Sequence, residues 1–502
     1  MRSSRFALGV FSRGTAAALV GAGLLVAPVA VAPLSASAQA KGTESLADLA
    51  DSVVDAVVNI SASQVVEEKS SANKAMPKLP PGTPFEDLFE EFFKRQLQGQ
   101  NKDDAVPRNR RSSSLGSGFI IDPSGIVVTN NHVIEGANEI TVILTDGRKL
   151  KAEVLGKDSK VDVAVLQVKS DKPLKAVPFG DSAKMRVGDS VMAVGNPFGL
   201  GGTVTSGIVS ARNRNIDSGP YDDYLQTDAS INKGNSGGPL FNMAGEVVGI
   251  NTAILSPSGG SIGIGFATPA NTVLPIVDQL RQYHEVRRGW LGVRIQNVDD
   301  SIAESLGLGA ARGALVAGID DKGPAKPAGL KAGDVIVTFD GKDVKDSHDL
   351  PRIVAATPVG KDVAVRIIRD AKPQDLTVKL GRLEDSDKPA ADTAKPTPDA
   401  APSATQAALG MQLSQLSDEL RKKFGIKDTV KGVAVTGING SPASDKAMKA
   451  GDVVVEVNQD AVSTPADIAA KVQSLKDAGK HSALLLVANA QGEVRFVALP
   501  ID

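Results

Sequence analysis

Two parts of this chain repeat each other in register. Lys331-Ala332-Gly333-Asp334-Val335 returns as Lys449-Ala450-Gly451-Asp452-Val453, and Leu291-Gly292-Val293 returns at the same separation as Leu409-Gly410-Met411. Two independent matches at one offset indicate a duplicated module of about 90 residues, and therefore a fold assembled from units. The modules are expected at 285–383 and 408–502. Between them, 384–407 is rich in Ala, Pro, Asp, Lys and Thr with almost nothing to bury, and reads as a flexible, partly extended linker. A length of 502 residues leaves room for one further large domain upstream.

The first 40 residues read as a signal peptide. Arg2, Arg5 and Arg13 precede an apolar run, and the small-residue patterns Ala36-Ser37-Ala38 and Ala38-Gln39-Ala40 follow it. The competing reading is an uncleaved anchor. Pro28 and Pro33 interrupt the run, however, and it is barely long enough to span a bilayer. The expectation is an exported, soluble protein with no permanent membrane anchor. The chain holds no cysteine, which excludes a disulfide scaffold, a thiol nucleophile and a cysteine metal site. A net charge of −2 argues against nucleic-acid binding, which calls for a strongly basic domain.

Between the signal and the repeats, 41–284 reads as one β-rich domain. A short amphipathic helix runs into a strand over Thr43 to Val65. A polar, Pro-containing insertion occupies about 66–114, and Phe85–Phe93 within it gathers four of the chain's 14 phenylalanines. Such an aromatic face needs covering, by its own domain or by a partner. From Leu115 to Ala267, short β-branched runs such as Ile126–Thr129, Ile140–Leu144 and Val163–Val168 alternate with turns, the pattern of antiparallel barrels. A helix over Ala270 to Tyr283 closes the unit.

Within that domain stands Gly234-Asn235-Ser236-Gly237-Gly238-Pro239-Leu240. Glycines on both sides of a serine permit a tight turn that exposes the hydroxyl and points the N–H groups of Gly234 and Ser236 at one spot. The plain alternative is a Gly-rich turn with an incidental serine. Of the four histidines, only His132 lies in the barrel region, after the apolar strand that ends at Thr129, so a reactive serine there has one candidate base. An imidazole in that role needs a carboxylate to orient it. Asp162 immediately precedes the apolar Val163–Leu166 and is the candidate; Asp158 and Asp146 read as solvated loop acids, and Asp228 as a structural hydrogen-bonding residue. The chain order His132, Asp162, Ser236 matches that of chymotrypsin-like folds.

Thr129–Ile134, Asp162–Leu166 and Gln226–Leu240 together resemble the HtrA family (DegP/DegQ/MucD-like) of bacterial envelope serine proteases, and the resemblance covers nearly everything after the signal peptide. It implies a mainly β fold: a chymotrypsin-like double β-barrel protease domain followed by two PDZ domains. By that resemblance Ile231 and Ile254 line a small apolar P1 pocket, with Gly234 and Asn235 beside it. Thr252, Ala253, Ile254, Leu255 and Ser256 pair with an extended substrate. In the first PDZ domain Gly289, Trp290, Leu291, Gly292, Val293, Arg294 and Ile295 capture a peptide terminus. Arg214 is implied to sense that domain, and the insertion to reach a neighbouring subunit in oligomers built on trimers. No cofactor or metal is implied.

The leading expectation is an ATP-independent endopeptidase of unfolded or misfolded proteins in the periplasm; no Gly-x4-Gly-Lys-Ser/Thr pattern occurs. The alternative is a holdase that binds unfolded proteins with cleavage secondary. A third reading, a regulatory protease that keeps its signal segment as an anchor, is opposed by the cleavable-looking signal and the two PDZ modules.

Overall fold

The computed structural model describes residues 45–65, 111–197, 201–232, 234–257, 260–383, 405–440 and 448–501. The signal segment, Phe85–Phe93 and most of the linker lie outside them. Helix α1 (Leu46–Val53) leads through a short 3-10 turn into β1 (Val57–Val65). Strands β2 (Arg111–Asp122) and β3 (Ile126–Thr129) follow, then the one-turn helix α2 (Asn131–Ile134). Strands β4 (Glu139–Ile143), β5 (Lys149–Asp158) and β6 (Val163–Val168) complete a closed barrel of order β1-β2-β3-β6-β5-β4. A second closed barrel, of order β10-β11-β12-β9-β8-β7, uses β7 (Ser190–Gly195), β8 (Thr203–Arg214), β9 (Tyr224–Thr227), β10 (Pro239–Phe241), β11 (Val247–Ile254) and β12 (Gly265–Pro269).

Each barrel has its own apolar interior, Ile60, Ile120, Val127 and Leu166 in the first and Val191, Val209, Leu225 and Leu240 in the second. A third cluster joins them. Phe119 and Val163 from the first barrel pack with Met192, Phe241 and Ile250 from the second, and helix α3 (Ala270–Tyr283) seals the seam with the fully buried Val273, Val277 and Leu280. Each of those three side chains contributes on the order of 1.5–3 kcal/mol by burial. The seam is therefore a continuous core, and it holds the barrels in fixed register.

Beyond α3 come β13 (Gly289–Trp290), β14 (Val293–Asn297), α4 (Asp300–Leu306), β15 (Ala314–Ile319), β16 (Val335–Phe339), β17 (Lys342–Asp343), α5 (Asp349–Ala355), β18 (Asp362–Arg369), β19 (Lys372–Lys379) and β20 (Gly381–Arg382). The repeated half provides β21 (Thr405–Ala408), β22 (Met411–Gln415), α6 (Asp418–Phe424), β23 (Val433–Ile438), β24 (Val453–Val457), β25 (Asp460–Ala461), α7 (Pro465–Asp477), β26 (Ser482–Ala488) and β27 (Val494–Pro500). The sheet orders β14-β15-β16-β18-β19 and β22-β23-β24-β26-β27 are the same path. One difference separates the two. In the first, β13 pairs with β20 and, among the described residues, leaves an edge of β14 without a strand, whereas β21 folds back in a hairpin onto the equivalent edge of β22. Residues 405–407, assigned by composition to the linker, thus belong to a strand.

The repeats pack on one another. Ile302, Leu315 and Ala317 share a buried cluster with Leu484, Leu486 and Phe496, and the Gln296 amide both donates to Phe496 O and accepts from Phe496 N, at 2.8 Å each. Among the described residues no helix is long and apolar enough to cross a membrane.

Candidate active site

Where the barrels meet, His132 and Asp162 are in contact, and the turn that carries Ser236 packs against the strand end leading into His132. His132 does not end a strand, as the apolar run suggested; it sits in the first turn of α2, because the chain turns helical directly after Thr129. Its Nδ1 lies 2.6 Å from Asp162 Oδ2, and its backbone N–H donates to Asp162 Oδ1 at 2.8 Å. Burial alone would push the imidazole down. The charge and hydrogen bond of Asp162, with help from Glu135, outweigh that and hold His132 above its ordinary value. Asp162 precedes β6, whose residues Val163–Leu166 are fully buried, so it is carried on a rigid element. Asn130 Nδ2 donates to the Asp162 carbonyl at 2.7 Å.

Ser236 rides a turn clamped from both barrels. On the first-barrel side, Ser117 N donates to Ser236 O at 2.9 Å, and the Ser117 hydroxyl donates to Gly234 O while accepting from Asn196 N at 2.8 Å. On the second-barrel side, Gly237 N donates to Asn251 O at 2.8 Å and Asn251 N to Gly238 O at 2.9 Å. Gly237 has φ +83, and a Cβ there would stand 2.2 Å from Ser117 O and 2.4 Å from Thr129 Oγ1. The serine turn thus presses against the strand end that leads into His132. Gly116 separates the two sides, its would-be Cβ 3.3 Å from Ser236 O and 2.6 Å from Val133 Cγ1.

Asn235 N donates to Asn232 O at 3.0 Å, closing a turn in which Gly234 takes φ +102. Such a φ at the third turn position suits glycine. The N–H groups of Gly234 and Ser236 have no acceptor among the described residues. Two unmet donors on one tight turn are what a developing oxyanion requires.

Around this centre, Ile231 is buried in the second barrel's core and Ile254 packs against that core, so both touch the barrel interior. Ala253 is buried, Leu255 exposed and Ser256 half-buried. The Thr252 hydroxyl points inward, donating to Ile250 O at 2.9 Å and bonding Thr268 Oγ1 at 2.9 Å. Strand β10 pairs with β11 only as far as Ile250, which leaves residues 252–254 without a strand on that side among the described residues. Asp228 accepts from Ile208 N at 2.7 Å. Asp158, expected to be a solvated loop acid, is buried at the end of β5 and ion-paired with the equally buried Arg288. The side chain of Arg214 turns to Gln226, at 3.0 Å. Its neighbour Asn215 reaches His348 at 3.1 Å, and Arg352 on α5 pairs with Asp223 at 3.0 Å.

In the first repeat, the carbonyls of Leu291 and Gly292 are taken by Ala325 N and Asp320 N at 2.9 Å each, and Gly292 has φ +76. The N–H groups of Leu291 and Gly292 have no acceptor among the described residues. Gly289 packs against the end of α5, where a Cβ would meet Val354 O at 2.4 Å. Trp290 and Val293 are half-buried, Arg294 is exposed, and Ile295 packs on the first repeat's core.

Sequence reasoning missed Ser117 and Asn130. Their one signal was polarity inside apolar strand patterns, at Gly116-Ser117-Gly118 and Asn130-Asn131.

Two closed six-stranded barrels with this site between them define a chymotrypsin-type serine endopeptidase, followed by a sheet module that occurs twice. Family models agree, matching a trypsin-like peptidase domain over 116–250 and a PDZ domain over 289–380. A protein named probable periplasmic serine endoprotease DegP-like, from Brucella suis, is 41% identical over 524 residues and 99% of both chains. A protein of the same name from Rhizobium meliloti is 42% identical, over 97% of this chain and 98% of that one. Among solved structures, the HtrA-type protease AlgW with decapeptide is 39% identical with a TM-score of 0.54, over 67% of this chain and 98% of that one. The chain belongs to the HtrA family of DegP-like serine endoproteases.

Proposed function

We propose that this protein is an exported, ATP-independent endopeptidase that degrades unfolded or misfolded proteins in the periplasm, with Ser236 as nucleophile. The observation that carries the reading is an imidazole oriented by Asp162, set on the segment against which a serine turn with unmet N–H groups packs. Ser236 Oγ attacks the scissile carbonyl while His132 Nε2 takes its proton and Asp162 steadies the imidazolium. The N–H groups of Gly234 and Ser236 hold the oxyanion. The tetrahedral adduct collapses as His132 returns the proton to the leaving amine, and water then repeats the sequence on the acyl-enzyme.

An extended substrate adds a strand along 252–256, and an apolar P1 side chain enters beside Ile231 and Ile254, where a charge would be buried unpaired. Small aliphatic P1 residues are the expected preference. The first PDZ domain receives a C-terminal carboxylate on the Leu291 and Gly292 amides, with the peptide along β14. In the second, the edge that would accept a peptide is taken by β21, which supports a role in assembly for that domain. The bonds from Asn215 and Arg352 between the β8–β9 loop and the α5 region link the peptide groove to the protease, next to Arg214. The family resemblance supports a cleavable signal peptide and homo-oligomers built on trimers.

Ser236→Ala is expected to lower turnover of a casein-like substrate by roughly 10⁴–10⁶-fold and to abolish fluorophosphonate labelling. Retained proteolysis in a contaminant-free preparation would refute the assignment. Aggregation suppression by the same variant reads out the holdase alternative, and its size with and without an unfolded substrate reads out assembly.

A further inference from the structure

Asp162 stands at φ +58, in the left-handed region that a non-glycine residue occupies at a cost and keeps only when its surroundings impose it. Downstream the buried β6 holds it. Upstream lie the exposed Ser159 and Lys160 and the half-buried Val161. On its backbone carbonyl sits the Asn130 amide, at 2.7 Å, from a side chain with no exposure at all.

Asn130 occupies the N-cap of α2, where an asparagine ordinarily turns its side-chain oxygen onto an N–H of its own helix. It makes no such bond. The cap comes from outside: Asp162 Oδ1 accepts the His132 N–H at 2.8 Å, while Oδ2 holds the imidazole at 2.6 Å. The two residues have exchanged duties. Asp162 caps the helix that carries the imidazole, and the residue that would have capped it grips Asp162. Because the partner is a carbonyl, the nitrogen of the amide must face it. The same nitrogen lies 3.4 Å from Thr252 Oγ1, on the second barrel's β11, which ties the grip to the other half of the site.

We infer that Asn130 is a positioning residue for the proposed catalytic triad: its amide locks Asp162 in the left-handed conformation that lets one carboxylate serve both the helix N–H and the ring. Released, Asp162 relaxes toward φ below zero, its carboxylate swings, and the imidazole loses orientation and support. The inference rests on the triad reading above.

Asn130→Leu, close to asparagine in shape but without a donor, and Asn130→Ala test it in the full chain. In both, kcat is expected to fall roughly ten- to hundredfold with KM unchanged. The acid limb of the kcat/KM profile should move to lower pH as His132 loses the carboxylate. Parental kcat in the Leu variant, or a fall in kcat with the acid limb unmoved, would overturn the inference. Failure of both variants to fold, judged by circular dichroism, would make Asn130 a folding residue and count equally against it. Ser236→Ala assayed alongside separates the two ideas. An inactive Ser236→Ala beside fully active Asn130 variants sinks only the positioning role, whereas an active Ser236→Ala sinks the triad itself.

Discussion

Replacing Asp158 by Asn is expected to unlatch the first PDZ domain from the protease barrels. Both Asp158 and Arg288 are only 5% exposed, the guanidinium donates to the carboxylate, and it also lies 4.9 Å from the Tyr221 ring centroid. A solvent-exposed pair would be worth about 0–1 kcal/mol. Here the neighbours exclude water, and removing one partner of a buried pair costs about 3–5 kcal/mol because the other charge stays behind. In Asp158→Asn the guanidinium therefore either stays buried without its charged partner or escapes to water. Escape requires the segment between α3 and β13 to lift from the barrel. That energy corresponds to roughly two to four orders of magnitude in the docked-to-undocked ratio. Amide hydrogen exchange reads it directly: residues 285–290 should lose protection by such a factor, while β15 and β18, inside the domain's own core, should not change. The double variant Asp158→Leu/Arg288→Met should recover most of the protection, since apolar replacement of a buried pair is often neutral or stabilising. Unchanged exchange at 285–290 in Asp158→Asn, or a double variant as loose as the single one, would show that burial does not set the strength of this pair.

Gly237→Ala must place a Cβ 2.2 Å from Ser117 O at φ +83, at a cost of about 2–5 kcal/mol. Its Tm should drop by roughly 5–15 °C with loss of fluorophosphonate labelling, and a parental Tm would be incompatible with this packing. Glu135→Gln removes one of the charges that hold the His132 imidazole up. Its acid limb should therefore move to lower pH with the plateau kcat retained; an upward move would contradict the sign. Ile231→Ala opens a hole in a residue only 2% exposed, at about 2–5 kcal/mol by calorimetry. If Ile231 also borders the P1 pocket, mass spectrometry of digested casein should show cleavage spreading from Val to Leu and Phe. Unchanged preference would leave Ile231 as core alone.

The strands were legible wherever β-branched runs alternated with turns, as at Ile126–Thr129 and Val163–Val168. His132, Asp162 and Ser236 stood out because each joins a polar, reactive side chain to an apolar strand or a glycine turn. Asp158 was misread because its partner lies 130 positions away, and no local pattern distinguishes a solvated acid from one awaiting a distant arginine. Asn130 was passed over for a related reason. After an apolar strand it reads as one more polar residue, and only the arrival of Asp162 gives its amide an acceptor.

Taken alone, the amino-acid order determined the parts: two barrels' worth of strands, a duplicated module, a glycine-bracketed serine, a single histidine in reach and an acid at a strand start. Those properties are local, set by side-chain period, turn chemistry and spacing. The tertiary structure decided which parts meet. Closing each sheet into a barrel and sealing the seam with α3 brings Ser117, Asn130 and Asn251, from separate parts of the chain, onto the turns that carry Asp162 and Ser236. The β21 hairpin, which lies ahead of the second repeat's matching segment, decides that the edges of the two repeated sheets differ. Hydrogen bonds and buried charges depend on distance in space, and only the packed fold supplies that distance.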